Sequence, residues 1–136
     1  MIDYRTGNDL DIDQVIERYV ASTLGERRPI GDRDRMAAML KAANIVITAW
    51  DENLLVGISR SLSDFSYATY LSDLAVRASH QRKGIGKELI RRTQQAGGPQ
   101  ARVILLSAPA AAEYYPHVGL TQHPSAWTLP PGAEVR

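Results

Sequence analysis

The sequence predicts an α/β fold of the α+β type, a mixed and mostly antiparallel sheet flanked by helices. Three observations predict it. Helical periodicity fills two stretches near the N-terminus, three strand-like apolar runs then follow with only tight turns between them, and one helix separates the third run from a further apolar strand. Strands joined by tight turns pair antiparallel, whereas a strand–helix–strand crossover makes a parallel pair. The sheet is therefore mixed rather than doubly wound.

"IDYR" (2–5) is the first strand candidate. From Asp11 the period changes, and Ile12, Val15, Ile16, Tyr19 and Val20 fall at helical spacing, with Asp11 and Gln14 suited to a capping box. Gly25, Pro29 and Gly31 break residues 22–32 into a loop. The helix after Asp32 carries Met36, Met39, Leu40 and Ala43 on one face, where the methionines read as core filler rather than a cofactor box. "NIVITAW" (44–50) and "LLVGISRSL" (54–62) form a hairpin around the turn 51–53, and "YATYLSDLAV" (67–76) adds a strand after 63–66. A helix from about Gly84 to Ala96 turns Ile85, Leu89 and Ile90 inward, pairs Glu88 with Arg92, and stops at "GGP" (97–99). "ARVILLS" (101–107) is a strand of sheet-interior character. Residues 109–120 hold a short helix closed by Pro116 and Gly119, and "SAWTL" (125–129) is the last strand.

A chain of 136 residues with 44% hydrophobic and 23% charged content reads as one domain, 1–136, with an ordinary core. Its 16 basic and 15 acidic side chains leave a net charge of +1, which argues against a dedicated nucleic-acid binder. Cysteine is absent, so disulfides, thiolate metal sites and a Cys nucleophile are excluded. No apolar run approaches the roughly 20 residues that span a bilayer. The acidic, polar N-terminus is unlike a signal peptide, so a cytoplasmic protein with no membrane partner is expected.

Chemistry concentrates in "VRASHQRKGIGKELI" (76–90). Glycines at the start of a helix leave unpaired amides and the positive end of the helix dipole open to an anion such as phosphate. A Walker A loop requires Ser or Thr after Gly86-Lys87, where Glu88 stands, and Gly at position 81, where Gln stands. A dinucleotide fingerprint requires a small residue at Leu89 and a place in the first βα unit. The pattern that fits is Q/R-x-x-G-x-G/A, as Gln81-Arg82-Lys83-Gly84-Ile85-Gly86. Together with the preceding strand "LSDLAV" and the later "EYYPHVGL", close to an FYxxxGF pattern, it resembles the GNAT superfamily of acetyl-CoA-dependent N-acetyltransferases along essentially the whole chain.

The resemblance implies a GNAT-like sheet whose fourth strand splays from the fifth to form a coenzyme A cleft. Acetyl-CoA would be the co-substrate and an amine its acceptor. Main-chain atoms of Leu74, Ala75 and Val76 would meet the pantetheine arm. The segment from Gln81 through Arg82, Lys83, Gly84, Ile85 and Gly86 to Lys87 would cradle the pyrophosphate, chiefly through amides. Tyr115 matches the tyrosine that serves the family as general acid to the coenzyme A sulfur, while Tyr114 takes the packing position, with a register slip of one between them left open.

Acetyl transfer needs a neutral amine, a stabilised oxyanion and a protonated leaving thiolate. "GISRS" is not a GxSxG elbow and no Cys exists, so direct attack in a ternary complex is expected. Asp73 is the first candidate for a base or for an anchor of a cationic amine, with a structural hydrogen bond to a loop as the alternative, since aspartate is unfavourable inside a strand. Ser72 is expected on the opposite face. The resemblance also implies acceptor contacts from the loop 22–32 and from the segment joining the third and fourth strands, with Phe65 and Tyr67, and His117 is a candidate second base or substrate contact beside a packing role. His80, His117 and His123 have no metal-ligand spacing, so no metal is expected. Trp50 and Trp127 are assigned to the core, with Trp127 alternatively bordering the acceptor pocket. The expected activity is N-acetylation of a small-molecule amine. The alternatives are a protein (N-terminal or lysine) acetyltransferase and a domain that binds acyl-CoA without turnover. Homodimers are frequent in the family, but no residue marks an interface.

Overall fold

Five strands form one sheet in sequence order, β1 (Ile2–Thr6), β2 (Ile45–Asp51), β3 (Leu54–Ser63), β4 (Ala68–Val76) and β5 (Arg102–Ile104), in a computed structural model that describes residues 1–136. The first four pair antiparallel, and β4 and β5 pair parallel. The parallel pair follows from the crossover through α3 (Ile85–Gly97), as the sequence pattern predicts. The other helices are α1 (Ile12–Val20), α2 (Arg33–Ala42) and the single turn α4 (Tyr114–His117). Two compact units result, Met1–Leu106 with the whole sheet and Ser107–Arg136 with α4.

The helix ends follow local chemistry. Asp11 caps α1 by accepting from the Asp13 amide at 3.0 Å, but Gln14 donates to the Asn53 carbonyl at 3.3 Å instead of closing the box. Asp32 caps α2 through the Arg35 amide at 3.1 Å. Gly98, at φ 91, ends α3 in a conformation that other residues resist.

Alternation along the strands makes two cores. Val15, Tyr19, Met36, Leu40 and Trp50 pack with Leu55, Ile58 and Ala75 on the α1/α2 face. Ile45, Ile47, Ala49 and Val56 pack with Ile85 and Leu89 of α3 on the other. Trp50 is thus a core residue, as expected. A Cβ on Gly57 would lie 3.1 Å from both Ile85 Cγ2 and Leu89 Cδ1, so the bare backbone there lets α3 sit close to the sheet. Gly57→Val is expected to lower stability by about 1–3 kcal/mol through overpacking, read from urea unfolding.

Expectations near the C-terminus are revised. The strand expected over 101–107 with sheet-interior character is only Arg102–Ile104, lies at the edge of the sheet, and leaves Ile104 and Leu106 exposed. Residues 125–129 form no strand, and Trp127 is 92% exposed rather than in the core. A strand needs a partner edge, which local sequence does not supply. Residues 109–120 resolve into a 3₁₀ turn at Pro109–Ala111 and the one-turn α4. Among the described residues, no helix is long and apolar enough to cross a membrane.

Candidate active site

The loop between β4 and α3 has the backbone of an anion cradle. Arg82 (φ 63) and Gly84 (φ 80) both adopt the left-handed conformation, which re-aims successive amides before the helix begins. Among the described residues, the amides of residues 82 to 87 find no acceptor, and the first bond at this end runs from the Glu88 amide to the Gly84 carbonyl at 3.1 Å. Nothing stands within 4 Å of where a Gly84 Cβ would be, so its backbone is open to approach. Gln81 donates from Nε2 to the Val76 carbonyl at 3.1 Å, which folds the loop back onto the strand end. That contact gives the glutamine of the motif a structural reason. Arg82, Lys83 and Lys87 are exposed and add positive charge around the amides. Arg91 and Arg92 turn to Glu88, whose carboxyl they hold at about 2 through hydrogen bonds first and charge second.

β4 offers an open edge beside this loop. Its pairing with β5 spans only Ala68 to Tyr70, opposite Arg102 to Ile104, so Leu71 to Val76 have no strand on that side. Leu74 and Val76 lean on the α3 core and Ala75 on the α1/α2 core, so their side chains are engaged while this part of the strand has no strand neighbour on its β5 side. Leu74, Ala75 and Val76 and the amides of 82 to 87 are separated in the chain by the 3₁₀ turn Ala78–His80, and the Gln81–Val76 contact links the two segments. A phosphate-bearing thioester with an extended arm fits this donor set, which combines free amides at a helix start with an unpaired strand edge.

Asp73 sits at a β-bulge and is fully buried. Arg60 pairs with Asp73 and Ser61 with Leu71, so Ser72 is the extra residue. The bulge defeats the two-residue alternation and puts Ser72 beside Asp73, not opposite it, with Ser72 Oγ 3.2 Å from Asp73 Oδ1. Oδ1 also accepts from Arg28 Nε at 2.6 Å, and Oδ2 accepts from Arg60 Nε and Tyr19 Oη, each at 2.6 Å. A carboxylate offers about four lone-pair positions. All four are taken, so neither a base nor an amine anchor has a position left, and the structural alternative describes Asp73 better. Burial alone would raise its pKa, but hydrogen bonds and charge from Arg60, with help from Tyr19 and Arg28, bring it below the usual aspartate value.

The network joins elements that sequence reasoning left separate. Arg28 belongs to the loop between α1 and α2, and its Nη2 also donates to the Ser72 carbonyl at 2.7 Å. Arg60 Nη2 reaches Ser72 Oγ at 2.9 Å and its Nη1 the Met39 carbonyl at 3.3 Å. Tyr19 and Arg60 were thus missed as parts of the site region, whereas Arg28 lies in the loop 22–32 already named for acceptor contact. The available cue was Arg60 itself, a charge inside an apolar strand next to a strand holding an aspartate.

The remaining candidates are dispersed. Phe65 (φ 60) and Tyr67 are exposed in the β3–β4 turn, where Asp64 Oδ1 accepts from the amides of Ser66, Tyr67 and Ala68. At the rise of an extended strand they lie roughly 20 Å along the chain from Asp73. The structure therefore does not gather them with it. In the second unit, Tyr114 and Tyr115 meet edge-on, with ring centroids 5.4 Å apart. Burial first, and Tyr114 second, raise the Tyr115 phenol above its ordinary value. His117 ends α4 and is exposed. Among the described residues, no group of three His, Cys, Asp or Glu side chains is placed to hold a metal ion.

A mixed sheet that opens at its fourth strand, next to a helix start with free amides, is the architecture of proteins that hold acyl-coenzyme A. The family model for an acetyltransferase (GNAT) domain matches residues 26–126, and the chain belongs to that family. No curated protein sequence matches it significantly. Among solved structures, a GNAT-family acetyltransferase from Streptococcus pneumoniae has a TM-score of 0.69 at 21% identity, covering 89% of this chain and 88% of that one. An aminoglycoside acetyltransferase from an uncultured soil metagenomic sample, solved with sisomicin, has a TM-score of 0.70 at 25% identity, covering 95% and 93%. An aminoglycoside N-acetyltransferase solved with coenzyme A has a TM-score of 0.75 at 15% identity, covering 96% and 94%.

Proposed function

We propose that the chain is an N-acetyltransferase that moves the acetyl group of acetyl-CoA to a primary amine of a small molecule by direct attack in a ternary complex. The observation that carries this reading is the run of acceptor-free amides from Arg82 to Lys87 beside the open edge of β4. When bound, the thioester supplies an activated acyl carbon. The chain supplies position and protons. Amides of 82 to 87 bind the pyrophosphate, the main chain of Leu74 to Val76 aligns the arm, and Tyr115 protonates the departing sulfur. One domain over 1–136 is part of the proposal, supported by a family match that runs through both compact units. The aminoglycoside acceptors named for two structural neighbours favour a small polyamine-like molecule over a protein.

Asp73 and Arg28 enter as positioning residues, because they tie the α1–α2 loop to the bulge in β4. The saturation of Asp73 leaves the amine's proton to water or to another group, and it is the one observation that favours a binding domain without turnover. The two readings separate by turnover. With acetyl-CoA and a panel of aminoglycosides, polyamines, amino acids and peptides, an enzyme releases free thiol at a rate proportional to protein. Coenzyme binding with no thiol release across the panel would favour the binding domain.

A further inference from the structure

We propose that the free edge of β1 pairs antiparallel with β1 of a second copy of this chain, about a two-fold axis at Tyr4. β1 lies at one end of the sheet and, among the described residues, pairs with β2 alone. It carries no Pro and no Lys, and no bulge interrupts its register against β2. Those are usual devices that stop a sheet edge from recruiting another strand. The charges it does carry, Asp3 and Arg5, are arranged to complement a second copy of themselves.

Backbone parity decides which residues make the pair. In an antiparallel ladder each residue turns its N–H and C=O to the same side, and successive residues alternate. Continuing the β1–β2 register places Gly7 opposite Val46, and the Gly7 amide donates to the Val46 carbonyl at 2.9 Å. Thr48 Oγ1 likewise donates to the Arg5 carbonyl at 3.3 Å. The backbone groups of Asp3, Arg5 and Gly7 therefore face β2, and those of Ile2, Tyr4 and Thr6 face the open side. A two-fold axis through Tyr4 sets Tyr4 against its own copy and Ile2 against the second copy's Thr6. Every outward backbone group from residue 2 to residue 6 is then paired, and the interface closes on itself.

Charge selects this register over its neighbours. With the axis at Tyr4, each Asp3 lies opposite the second copy's Arg5, in the non-hydrogen-bonded positions where opposed side chains come closest. Moving the axis to Asp3 opposes two aspartates, moving it to Arg5 opposes two arginines, and both moves lose backbone bonds. The two side chains are free to respond, since Asp3 and Arg5 are 65% and 53% exposed and touch only as a surface pair at 3.0 Å. Arg5 also lies over the Trp50 ring, 4.6 Å from its centroid, which holds its stem along the strand. On the other face Ile2 and Tyr4 lean on the α3 core but are only partly buried, and the second copy would cover part of what remains. The pairing does not depend on the proposed activity.

The test is sedimentation equilibrium of the full chain as wild type, Asp3→Arg and Arg5→Asp. Wild type is expected to form a species of twice the chain mass at concentrations up to about 1 mM. Each single variant opposes like charges in its own dimer, so its Kd should rise about tenfold or more. An equimolar mixture of the two variants sets Arg against Asp at both positions and should recover the wild-type Kd. In wild type, hydrogen exchange at the Tyr4 and Thr6 amides should slow as concentration rises. A wild type that stays monomeric, single variants that dimerise as tightly as wild type, or a mixture no tighter than its components would overturn the proposal. Should either variant fail to fold, the wild-type exchange rates decide, and amides of Tyr4 and Thr6 that exchange equally fast at low and high concentration refute the pairing.

Discussion

Tyr115→Phe is expected to lower thiol release by roughly 10²–10⁴-fold, the range of a positioned acid. The phenol is raised above its ordinary value by burial and by Tyr114, so it carries its proton throughout the neutral range. That is the form a general acid must hold. The acid therefore sets no limit through neutrality, where turnover should follow the neutral fraction of the amine. A decline is expected only as pH climbs through the raised phenol pKa. Phenylalanine keeps the ring and its edge-on contact with Tyr114, so stability and the Km for acetyl-CoA should change little. Tyr114→Phe is the control. It should keep most of the activity, and the reverse pattern would move the acid role one residue earlier.

Asp73→Ala is expected to destabilise the fold by about 3–5 kcal/mol, the usual effect of removing one partner from a buried ion pair. Arg60 is the reason, because its guanidinium is nearly buried and would lose its only carboxylate. Arg28 would lose the contact that ties its loop to β4, and the Tyr19 hydroxyl its acceptor. The effect should depend on pH in a defined direction. Asp73 titrates below the usual value in the folded state, so its contribution is complete above the unfolded pKa of about 3.9. It is lost as pH falls through the lower, folded pKa. The gap between wild type and Asp73→Asn in urea unfolding should accordingly be constant near neutrality and close only in strong acid. A gap that persists below the folded pKa would mean that the charge is not what Asp73 contributes.

Local chemistry made the glycine-bearing loop before α3 legible. Gly84 and Gly86 occur where a helix starts, Gly84 in the left-handed conformation that favours glycine, and Gln81 fixes the motif's first position. Strand order was equally readable, because the turns at 51–53 and 63–66 are short enough to enforce antiparallel pairing. What failed was non-local. The bulge at Ser72 depends on how β4 registers against β3, and no feature of "LSDLAV" announces it. Asp73 was recognised as a residue needing a reason, but its partners Arg60 and Arg28 come from a neighbouring strand and a distant loop. Trp127 shows the same limit from the other side, since the segment 125–129 was read as a last strand with Trp127 in the core, and Trp127 stands in solvent.

The central claim is that the backbone of residues 82 to 87 holds the pyrophosphate of coenzyme A. Thermal unfolding with and without coenzyme A, for wild type and Gly86→Val, tests it most directly. Wild type should gain roughly 2.7 kcal/mol at a hundredfold excess over Kd. Gly86→Val should melt close to wild type without ligand, since valine is no worse than glycine inside a helix, and should show no gain with it. A wild-type midpoint that does not move with coenzyme A, or a Gly86→Val protein that gains as much as wild type, would contradict the account.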